Sequence, residues 1–521
     1  MKKLLDENQN MQDYLYTRGF LITNDPNINI NEDSYPFYNN WVCKKIEGIY
    51  FYIHNKQKIY IRELQNGSIA FLIGHAYNPI ADLYDEQEIL EYVYSKNVYE
   101  RVSELTGIFV IGIVTGDSVK FIGDAACMQT VFYGTVNGFV YISSHSYLLK
   151  DITGVLDDPF IYQLISYTYY RLFGNMLPGD RTSYCEFRRV EPNFEYEYKE
   201  DGYFIKKRFY PLKKIEIVQN EDEYNKIIDK CYEIMKSNMT LIPKKWDKPA
   251  ISLTGGCDSK TTLSCVEDYS KYSYFSYIST GKEEPDAIAA HQIAEMLGIE
   301  HTIYNIPQND SDFADIDVVK KVLEQNGGNI GENNANDIRK RAFFANHNDF
   351  DVEVKSWASE IARAYYNKRF NKKRMPHKVT PRMMTAMYKV IVNNRKLAKG
   401  IDNIFSEYLQ DYYNDNSFEN MDWYDLIFWE YRVAAWNGLV ISGEHNFSYD
   451  LTIPYNNRVL LDLLLRTPLE KRINDIPHKD IQHRGNELIA NSDISVQNVE
   501  HTKLRAVLEG VYFNICSRVI V

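Results

Sequence analysis

A short apolar strand that runs into a glycine-rich loop and then into a helix constrains this chain more than any other feature. The strand covers residues 250–253, the loop reads Thr254-Gly-Gly-Cys-Asp-Ser259, and the helix extends to about residue 267. A glycine pair lets the backbone turn sharply without Cβ clashes. The N–H groups of the turn and of the first helical turn then point at one spot, where the helix dipole favours an anion. The pattern predicts a phosphate-binding loop.

Asp258, inside this loop, indicates a metal ion as well as a phosphate. A carboxylate repels phosphate by itself, so we interpret Asp258 as a ligand of Mg²⁺. The alternative is an ordinary strand–turn–helix in which Asp258 caps the helix. Hydroxyl donors at Thr254 and Ser259 make the loop more restrictive than a bare glycine pair, which favours the phosphate interpretation.

Composition restricts the class of partner. The 521 residues carry a net charge of −12, with 45% hydrophobic and 25% charged residues, as in ordinary globular proteins. This acidity argues against nucleic acid as the main partner, because neutralising phosphates requires clustered Lys and Arg. The seven cysteines form no Cys-x-x-Cys pair, which is typical of reduced thiols. Since the sequence also lacks an apolar signal segment and any apolar run of roughly 18 residues, we expect a soluble, cytoplasmic protein that does not bind membranes.

Two regions of different character divide the chain. Up to about residue 210, runs of β-branched and aromatic residues alternate with turns such as Asn137-Gly138, a hairpin signal. Further on, strands at 250–253, 274–278 and 302–306 alternate with helices, which predicts a parallel sheet covered by helices. Helices dominate from about residue 317. We predict an α/β protein with domains at 1–212 and 213–521.

The loop at 254–259 resembles the Ser-Gly-Gly-x-Asp-Ser loop of PP-loop ATP pyrophosphatases. The segments that begin Asp286-Ala-Ile-Ala-Ala-His291 and Asp450-Leu-Thr-Ile-Pro454 resemble the asparagine synthetase group, and Leu105-Thr-Gly-Ile-Phe109 resembles part of its glutaminase-like domain. The resemblance implies an N-terminal Ntn-hydrolase-like αββα sandwich and a C-terminal parallel sheet like that of adenine-nucleotide α-hydrolases, with a helical C-terminal extension. It also implies ATP and Mg²⁺ as cofactors. The residues that it implies for ATP and pyrophosphate are Leu253, Thr254, Gly255, Gly256, Asp258, Ser259, Lys260 and Ser279.

A second metal ligand and two cations also follow from the resemblance. Glu360, within Ser356-Trp-Ala-Ser-Glu360, stands where the family has an aspartate, and it would hold Mg²⁺ together with Asp258. The alternative for Glu360 is a solvated helical residue. The family uses a lysine to neutralise the charge that develops as the carboxylate attacks the α-phosphate. Lys479 matches that lysine, with Arg484 as its companion, and the alternative is a surface lysine.

Two departures from the family narrow the expected activity. Residue 2 is Lys2, where glutamine-using members carry the cysteine nucleophile, so we expect the N-terminal domain to be a structural scaffold without glutaminase activity. Trp357 stands where related enzymes place a residue that helps to activate the amine, and Trp cannot act as a base.

The sequence therefore predicts an ATP-dependent, AMP-forming carbon–nitrogen ligase, similar to β-lactam synthetases and lasso-peptide cyclases. Its expected partners are a small-molecule or peptide carboxylate and an amine acceptor, and a homodimer is a further expectation. The main alternative is a non-catalytic nucleotide-binding or assembly protein. A lesser alternative is amidation with ammonia from a separate source. Sulfur transfer to tRNA through Cys257 or Cys265 is disfavoured by the net negative charge and by the absence of a paired-cysteine motif.

Overall fold

The computed structural model describes residues 1–28, 34–168, 170, 176–199, 201–328, 335–347, 349–370, 378–388, 391, 393–413, 416–496 and 503–518. Within these residues the protein is a mixed α/β structure with two antiparallel sheets, one parallel sheet and many helices.

The first part of the chain forms the two antiparallel sheets. Their strands are β1 (Phe20–Thr23), β2 (Trp41–Ile46), β3 (Ile49–His54), β4 (Ile59–Glu63), β5 (Ile69–Tyr77), β6 (Thr106–Thr115), β7 (Ser118–Gly123), β8 (Phe132–Val136), β9 (Phe139–Ser143), β10 (Phe187–Arg189), β11 (Phe194–Tyr198) and β12 (Phe204–Arg208). The strand orders are β10-β8-β9-β1-β3-β2 and β12-β11-β7-β6-β5-β4. The predicted hairpin at Asn137-Gly138 is confirmed, because β8 and β9 pair on either side of it.

The two sheets pack face to face. Alternate strand residues, such as Ile22, Phe51, Phe71 and Val110, form one buried apolar cluster between them, and the rings of Phe51 and Phe71 lie 5.1 Å apart. One helix (Glu86–Ser95) packs outside β5, and another (Ser146–Thr153) packs outside β9. These four layers are the αββα sandwich expected for this part of the chain.

The remaining helices of this part are short. They are Lys2–Glu7, Val98–Ser103 and Pro159–Ile165, with a 3₁₀ helix at Gln9–Tyr14. Residues 86–103 form two helices rather than one continuous helix. Asn97 adopts a left-handed conformation with φ of 50°, which ends the first helix before the second begins, and Asn tolerates this conformation better than most residues.

The later part of the chain forms the parallel sheet. Its strands are β13 (Pro249–Ser252), β14 (Ser273–Ile278), β15 (Thr302–Asn305), β16 (Val352–Val354) and β17 (Asp450–Thr452), in the order β15-β14-β13-β16-β17. All neighbouring pairs are parallel. From β13 the chain builds β14 and β15 on one side, and it then adds β16 and β17 on the other. The order therefore reverses between β13 and β16, where open α/β sheets form ligand crevices.

Helices cover this sheet and form the C-terminal extension. Their bounds are Glu221–Lys245, Cys257–Ser264, Glu284–Leu297, Ile316–Gly327, Ala335–Ala345, Tyr365–Phe370, Pro381–Met387, Arg395–Tyr408, Gln410–Tyr413, Trp423–Ile427, Ala434–Val440, Asn446–Ser448, Arg458–Leu465, Leu469–Ile473, Ile476–Gly485, Glu487–Ala490 and Lys503–Cys516. Short 3₁₀ helices lie at Tyr269–Lys271, Asp310–Asp312, Ser359–Ala362 and Asn416–Phe418, and π-helical turns lie at Phe428–Val433 and Ile441–His445.

Buried polar contacts join the sandwich to the parallel-sheet part. Asn456, after β17, donates to Asp124 Oδ1 at 2.9 Å and to the Gly107 carbonyl at 2.6 Å. Glu430, in the first π-helical turn, accepts from Arg208 of β12. The Glu430 side chain is fully buried in that contact. The domain boundary at residue 212 stays a prediction; β12 ends before it and the helix Glu221–Lys245 begins after it.

Within the described part of the chain, no helix combines the length and the apolar character that crossing a membrane requires.

Candidate functional site

The glycine-rich loop lies at the carboxyl end of β13, as the sequence predicted. The helix Cys257–Ser264 begins after Gly256, which occupies the N-cap position with no side-chain cap. Asp258 is therefore not a cap, and the alternative that made it one is wrong. Helix-start N–H groups without a capping side chain remain available to an anion.

The N–H groups of the loop itself already have acceptors. Thr254 N donates to Ser259 Oγ at 3.1 Å, Gly255 N donates to Asp286 Oδ1 at 3.2 Å, and Gly256 N donates to Thr254 Oγ1 at 3.2 Å. All three acceptors are side-chain atoms. The loop thus holds its shape through side chains that a ligand would have to displace.

Gly255 is required by a close approach of protein atoms. A Cβ at this position would lie 2.8 Å from Ala289 Cβ and 2.8 Å from Val496 Cγ2. Because real Cβ atoms almost never come this close to other carbon atoms, only glycine fits here. At Gly255 the space that a Cβ would need is taken by the helix Glu284–Leu297 and by the segment 493–496.

Lys260 and Ser279, two further predicted ATP-binding residues, are bound to protein groups. Lys260 Nζ donates to the Ile494 carbonyl at 3.0 Å, and burial lowers the pKa of its ammonium. Ser279 donates from its backbone N at 2.7 Å and from its hydroxyl at 2.6 Å to Glu283 Oε2. Glu283 lines the cavity described below, whereas Ser279 does not. Ser279 is therefore connected to the cavity only by its hydrogen bonds to Glu283, a residue that the sequence interpretation missed.

The segment after β16 brings the second predicted carboxylate to the same place. Ser356 Oγ lies 2.7 Å from Thr262 Oγ1 of the loop helix, and Glu360 sits in the 3₁₀ helix Ser359–Ala362. Ala358 and Ala364 have φ of 69° and 53°, a left-handed conformation that glycine adopts most easily. The backbone thus keeps a turn suited to glycine although the sequence has alanine there.

Asp258 and Glu360 form a pair of carboxylates on two different loops. Burial, and next the charge of Asp258, raise the pKa of Glu360 to about 7. The guanidinium of Arg363 donates to Asp258 Oδ2, while Asp258 Oδ1 is buried and has no hydrogen-bond partner. An unsatisfied carboxylate oxygen next to a second carboxylate is suited to a cation.

The carboxylate pair fits Mg²⁺ only as part of a larger ligand set. Among the residues that the structure describes, no group of three or more His, Cys, Asp or Glu side chains could hold a metal ion. Mg²⁺ in nucleotide sites commonly takes one or two carboxylates and completes its octahedron with phosphate oxygens and water. Asp258 and Glu360 suit that arrangement.

A cavity of about 360 Å³ lies between the loops that follow β13 and β16, where the strand order reverses. Of the predicted ATP- and metal-binding residues, Leu253, Thr254, Gly256, Asp258, Ser259 and Glu360 line it. The lining residues that were not predicted to bind ATP or the metal ion are Ser252, Ser276, Tyr277, Glu283, Asp286, Ala287, Lys355, Ser356 and Trp357.

Lys479 and Arg484 do not line this cavity. Both lie on the helix Ile476–Gly485, which packs against the loop helix. Lys479 is exposed, and Arg484 donates to Asp229 Oδ1 at 3.1 Å and to Asn225 Oδ1 at 3.0 Å on the helix Glu221–Lys245. Their catalytic role stays a prediction, and this geometry gives it no contact with the cavity.

Lys355 is the cation among the residues that line the cavity. It follows β16 directly, its Nζ lies 3.1 Å from Glu353 Oε1, and its ammonium lies 4.9 Å from the centre of the Trp357 ring. The signal that could have found Lys355 is its place after a strand, but β16 has only three residues and we did not predict it.

No protein-family model matches this chain, and no curated protein matches it. Among solved structures, the chain is similar to a glutamine phosphoribosylpyrophosphate amidotransferase from B. subtilis complexed with ADP and GMP, at 12% identity and a TM-score of 0.25, over 70% of this chain and 74% of that one. It is also similar to a structure described as the allosteric regulatory enzyme of purine biosynthesis, at 10% identity and a TM-score of 0.25, over 62% and 88%. Similarity at these identities and TM-scores indicates no function for this chain, and the resemblance to the asparagine synthetase group stays a prediction.

Proposed function

We propose that this protein is an ATP-dependent, AMP-forming ligase that adenylates a substrate carboxylate and joins it to an amine. One observation carries the proposal: the glycine-rich loop and the carboxylate pair Asp258 and Glu360, from separate loops, meet at one cavity where the strand order reverses. Nucleotides bind at this position in open α/β sheets.

The charges around the cavity support a nucleotide that arrives with a metal ion. Its lining carries the carboxylates Asp258, Glu283, Asp286 and Glu360 and the single ammonium of Lys355. A triphosphate alone would be repelled by this excess of negative charge. Mg²⁺ held by Asp258 and Glu360 would offset that repulsion and polarise the phosphate oxygens.

The side chains have separate tasks in the proposed reaction. A carboxylate oxygen of the substrate attacks the α-phosphorus of ATP, and the bond to the bridging oxygen breaks, so that pyrophosphate leaves toward the N–H groups at the start of the helix Cys257–Ser264. The amine then attacks the acyl carbon, AMP leaves with the C–O bond electrons, and the amine loses one proton. Lys355 would neutralise charge at the phosphate. Trp357 lines the site but cannot accept the proton that the amine loses.

The sandwich serves as a scaffold in this proposal. Cys43, Cys127 and Cys185, its described cysteines, all have a thiol pKa above the usual value, with burial as the largest cause. A nucleophilic cysteine needs the opposite shift. This supports an amine that comes with a substrate, and ammonia from a separate source is the lesser alternative.

The second candidate is a non-catalytic nucleotide-binding or assembly protein. Two observations favour it: alanines stand at the left-handed positions 358 and 364, and side chains of the protein already occupy the N–H groups of the loop.

Exchange of labelled pyrophosphate into ATP separates the two candidates, because it requires a carboxylate but no amine. We expect purified protein with Mg²⁺ to show exchange that depends on a carboxylate from a panel of amino acids, small acids and peptides. Asp258→Asn should abolish the exchange, since it removes the charge that holds the metal ion. Asp268→Asn is the matched control, because Asp268 caps a distant 3₁₀ turn, and it should keep the exchange. If the protein binds ATP but no carboxylate supports exchange, the ligase proposal is wrong.

A further inference from the structure

Arg363 connects the glycine-rich loop to the start of the helix Ile476–Gly485. Its Nη1 donates to Asp258 Oδ2, while its Nε and Nη2 donate to the two carboxylate oxygens of Asp475 at 2.8 and 3.1 Å. Lys368 Nζ also contacts Asp475, at 2.6 Å. Asp475 directly precedes that helix. The guanidinium is therefore held by two carboxylates, one of which belongs to the proposed metal ligand Asp258.

We propose that Arg363 is a tethered counter-ion of Asp258 that competes with the divalent cation, so that the metal ion enters together with the nucleotide rather than before it. The competition itself concerns only a divalent cation at Asp258, whereas the nucleotide in this statement rests on the proposed function.

The two oxygens of Asp258 have different surroundings. Oδ2 is held by Arg363, and Oδ1 is buried without a partner. A cation at Oδ1 would be attracted by the carboxylate of Glu360 and repelled by the guanidinium of Arg363. Because the oxygens of one carboxylate are about 2 Å apart, and the cation and the guanidinium nitrogen would lie about 2 and 3 Å from them, the two cations would be within about 7 Å of each other.

That separation sets the size of the effect. Even at the dielectric constant of water, a dication and a guanidinium about 7 Å apart repel each other enough to weaken cation binding on the order of tenfold. The negative charge of a triphosphate would cancel this repulsion. The cation should therefore bind weakly to the free protein and more tightly when phosphate is present.

Binding of Mn²⁺ in the absence of nucleotide, followed by electron paramagnetic resonance of the free ion, tests the competition directly. Arg363→Met keeps much of the aliphatic stem and removes the charge, and we expect its Kd for Mn²⁺ to fall on the order of tenfold. Lys368→Met is the matched control, because the Lys368 ammonium hydrogen-bonds to Asp475 and acts on Asp258 only through its charge, and its Kd should change no more than about twofold.

A second variant, Arg363→Lys, tests the same competition if Arg363→Met folds poorly. Arg363→Lys keeps one charge but cannot bridge both carboxylates, and we expect an intermediate Kd. If either variant, folded by circular dichroism, binds Mn²⁺ with the wild-type Kd or more weakly, Arg363 orients Asp258 instead of competing for it, and the proposal is wrong. This measurement needs no turnover, so its outcome does not depend on whether pyrophosphate exchange succeeds.

Discussion

Glu430→Gln tests whether the sandwich and the parallel-sheet part form one cooperative unit. The carboxylate accepts from Arg208 Nη1 and Nη2 at 2.7 and 2.9 Å, from Asn193 Nδ2 at 2.7 Å, and from the hydroxyl of Tyr412. Arg208 ends β12 and Asn193 directly precedes β11, so these two residues belong to the sandwich. Burial opposes the charge of Arg208, but the charge and hydrogen bonds of Glu430 outweigh burial and leave the guanidinium pKa raised.

The size of the loss follows from the burial of both partners. The Glu430 side chain is 0% exposed and that of Arg208 is 10% exposed. Glutamine keeps the shape and one acceptor but leaves the guanidinium without a counter-charge. Removing one partner of a buried ion pair costs about 3–5 kcal/mol. Because glutamine still accepts one hydrogen bond, we expect a loss of about 3 kcal/mol in the free energy of unfolding.

Urea unfolding monitored by tryptophan fluorescence and by far-ultraviolet circular dichroism measures this loss. Trp429, the neighbour of Glu430, donates to the Ala125 carbonyl of the sandwich at 2.8 Å and reports on the same interface. Glu419→Gln is the control, because Glu419 pairs with Lys214 at the surface, and it should change stability by less than about 0.5 kcal/mol. A loss below about 1 kcal/mol for Glu430→Gln, or separate transitions of the two parts in the unaltered protein, would refute the reasoning.

Two further predictions concern the cavity. The folded-state pKa of Glu360 is raised to about 7. The folded protein therefore binds more protons than the unfolded chain between about pH 4.5 and 7. In the absence of a metal ion, the free energy of unfolding should fall by a few kcal/mol as the pH rises through that range. Glu360→Gln should remove this loss in thermal unfolding measured from pH 4 to 8, and an unchanged profile would contradict it. Lys355→Met should lower carboxylate-dependent pyrophosphate exchange on the order of a hundredfold, since it removes the cation that lines the cavity. Lys479→Met compares Lys355 with the residue that the sequence predicts for this role: exchange should stay within about twofold if Lys355 is the cation that acts, and a loss in Lys479→Met but not in Lys355→Met would assign the role to Lys479.

The loop at 254–259 could be predicted from sequence because its determinants are local. A buried strand, two small residues and a helix start lie within a dozen positions, and the backbone geometry follows from that order. The groups that occupy its N–H donors could not all be predicted. Asp286 reaches Gly255 N from 31 residues further along the chain, and no pattern of spacing specifies such a contact.

The part of the site that follows β16 was harder to predict from the sequence. β16 has three fully buried residues, and a run this short shows no alternation from which a strand can be recognised. Without β16, Lys355 has no predicted place at the edge of the sheet. Glu360 was reached only through the resemblance, and its effect on Asp258 depends on two loops that are about a hundred residues apart in sequence.

By itself, the sequence determined the change from antiparallel strands to alternating strands and helices, and it determined the glycine-rich loop, because periodicity and turn residues act over short distances. Only the tertiary structure decided which charges meet at Asp258. Arg363 and Glu360, in the segment that follows β16, both interact with Asp258. Lys355 lines the same cavity, whereas Arg484 is paired with Asp229 on another helix. Coulomb interactions depend on distance through space, and the packing of β13 beside β16 sets those distances.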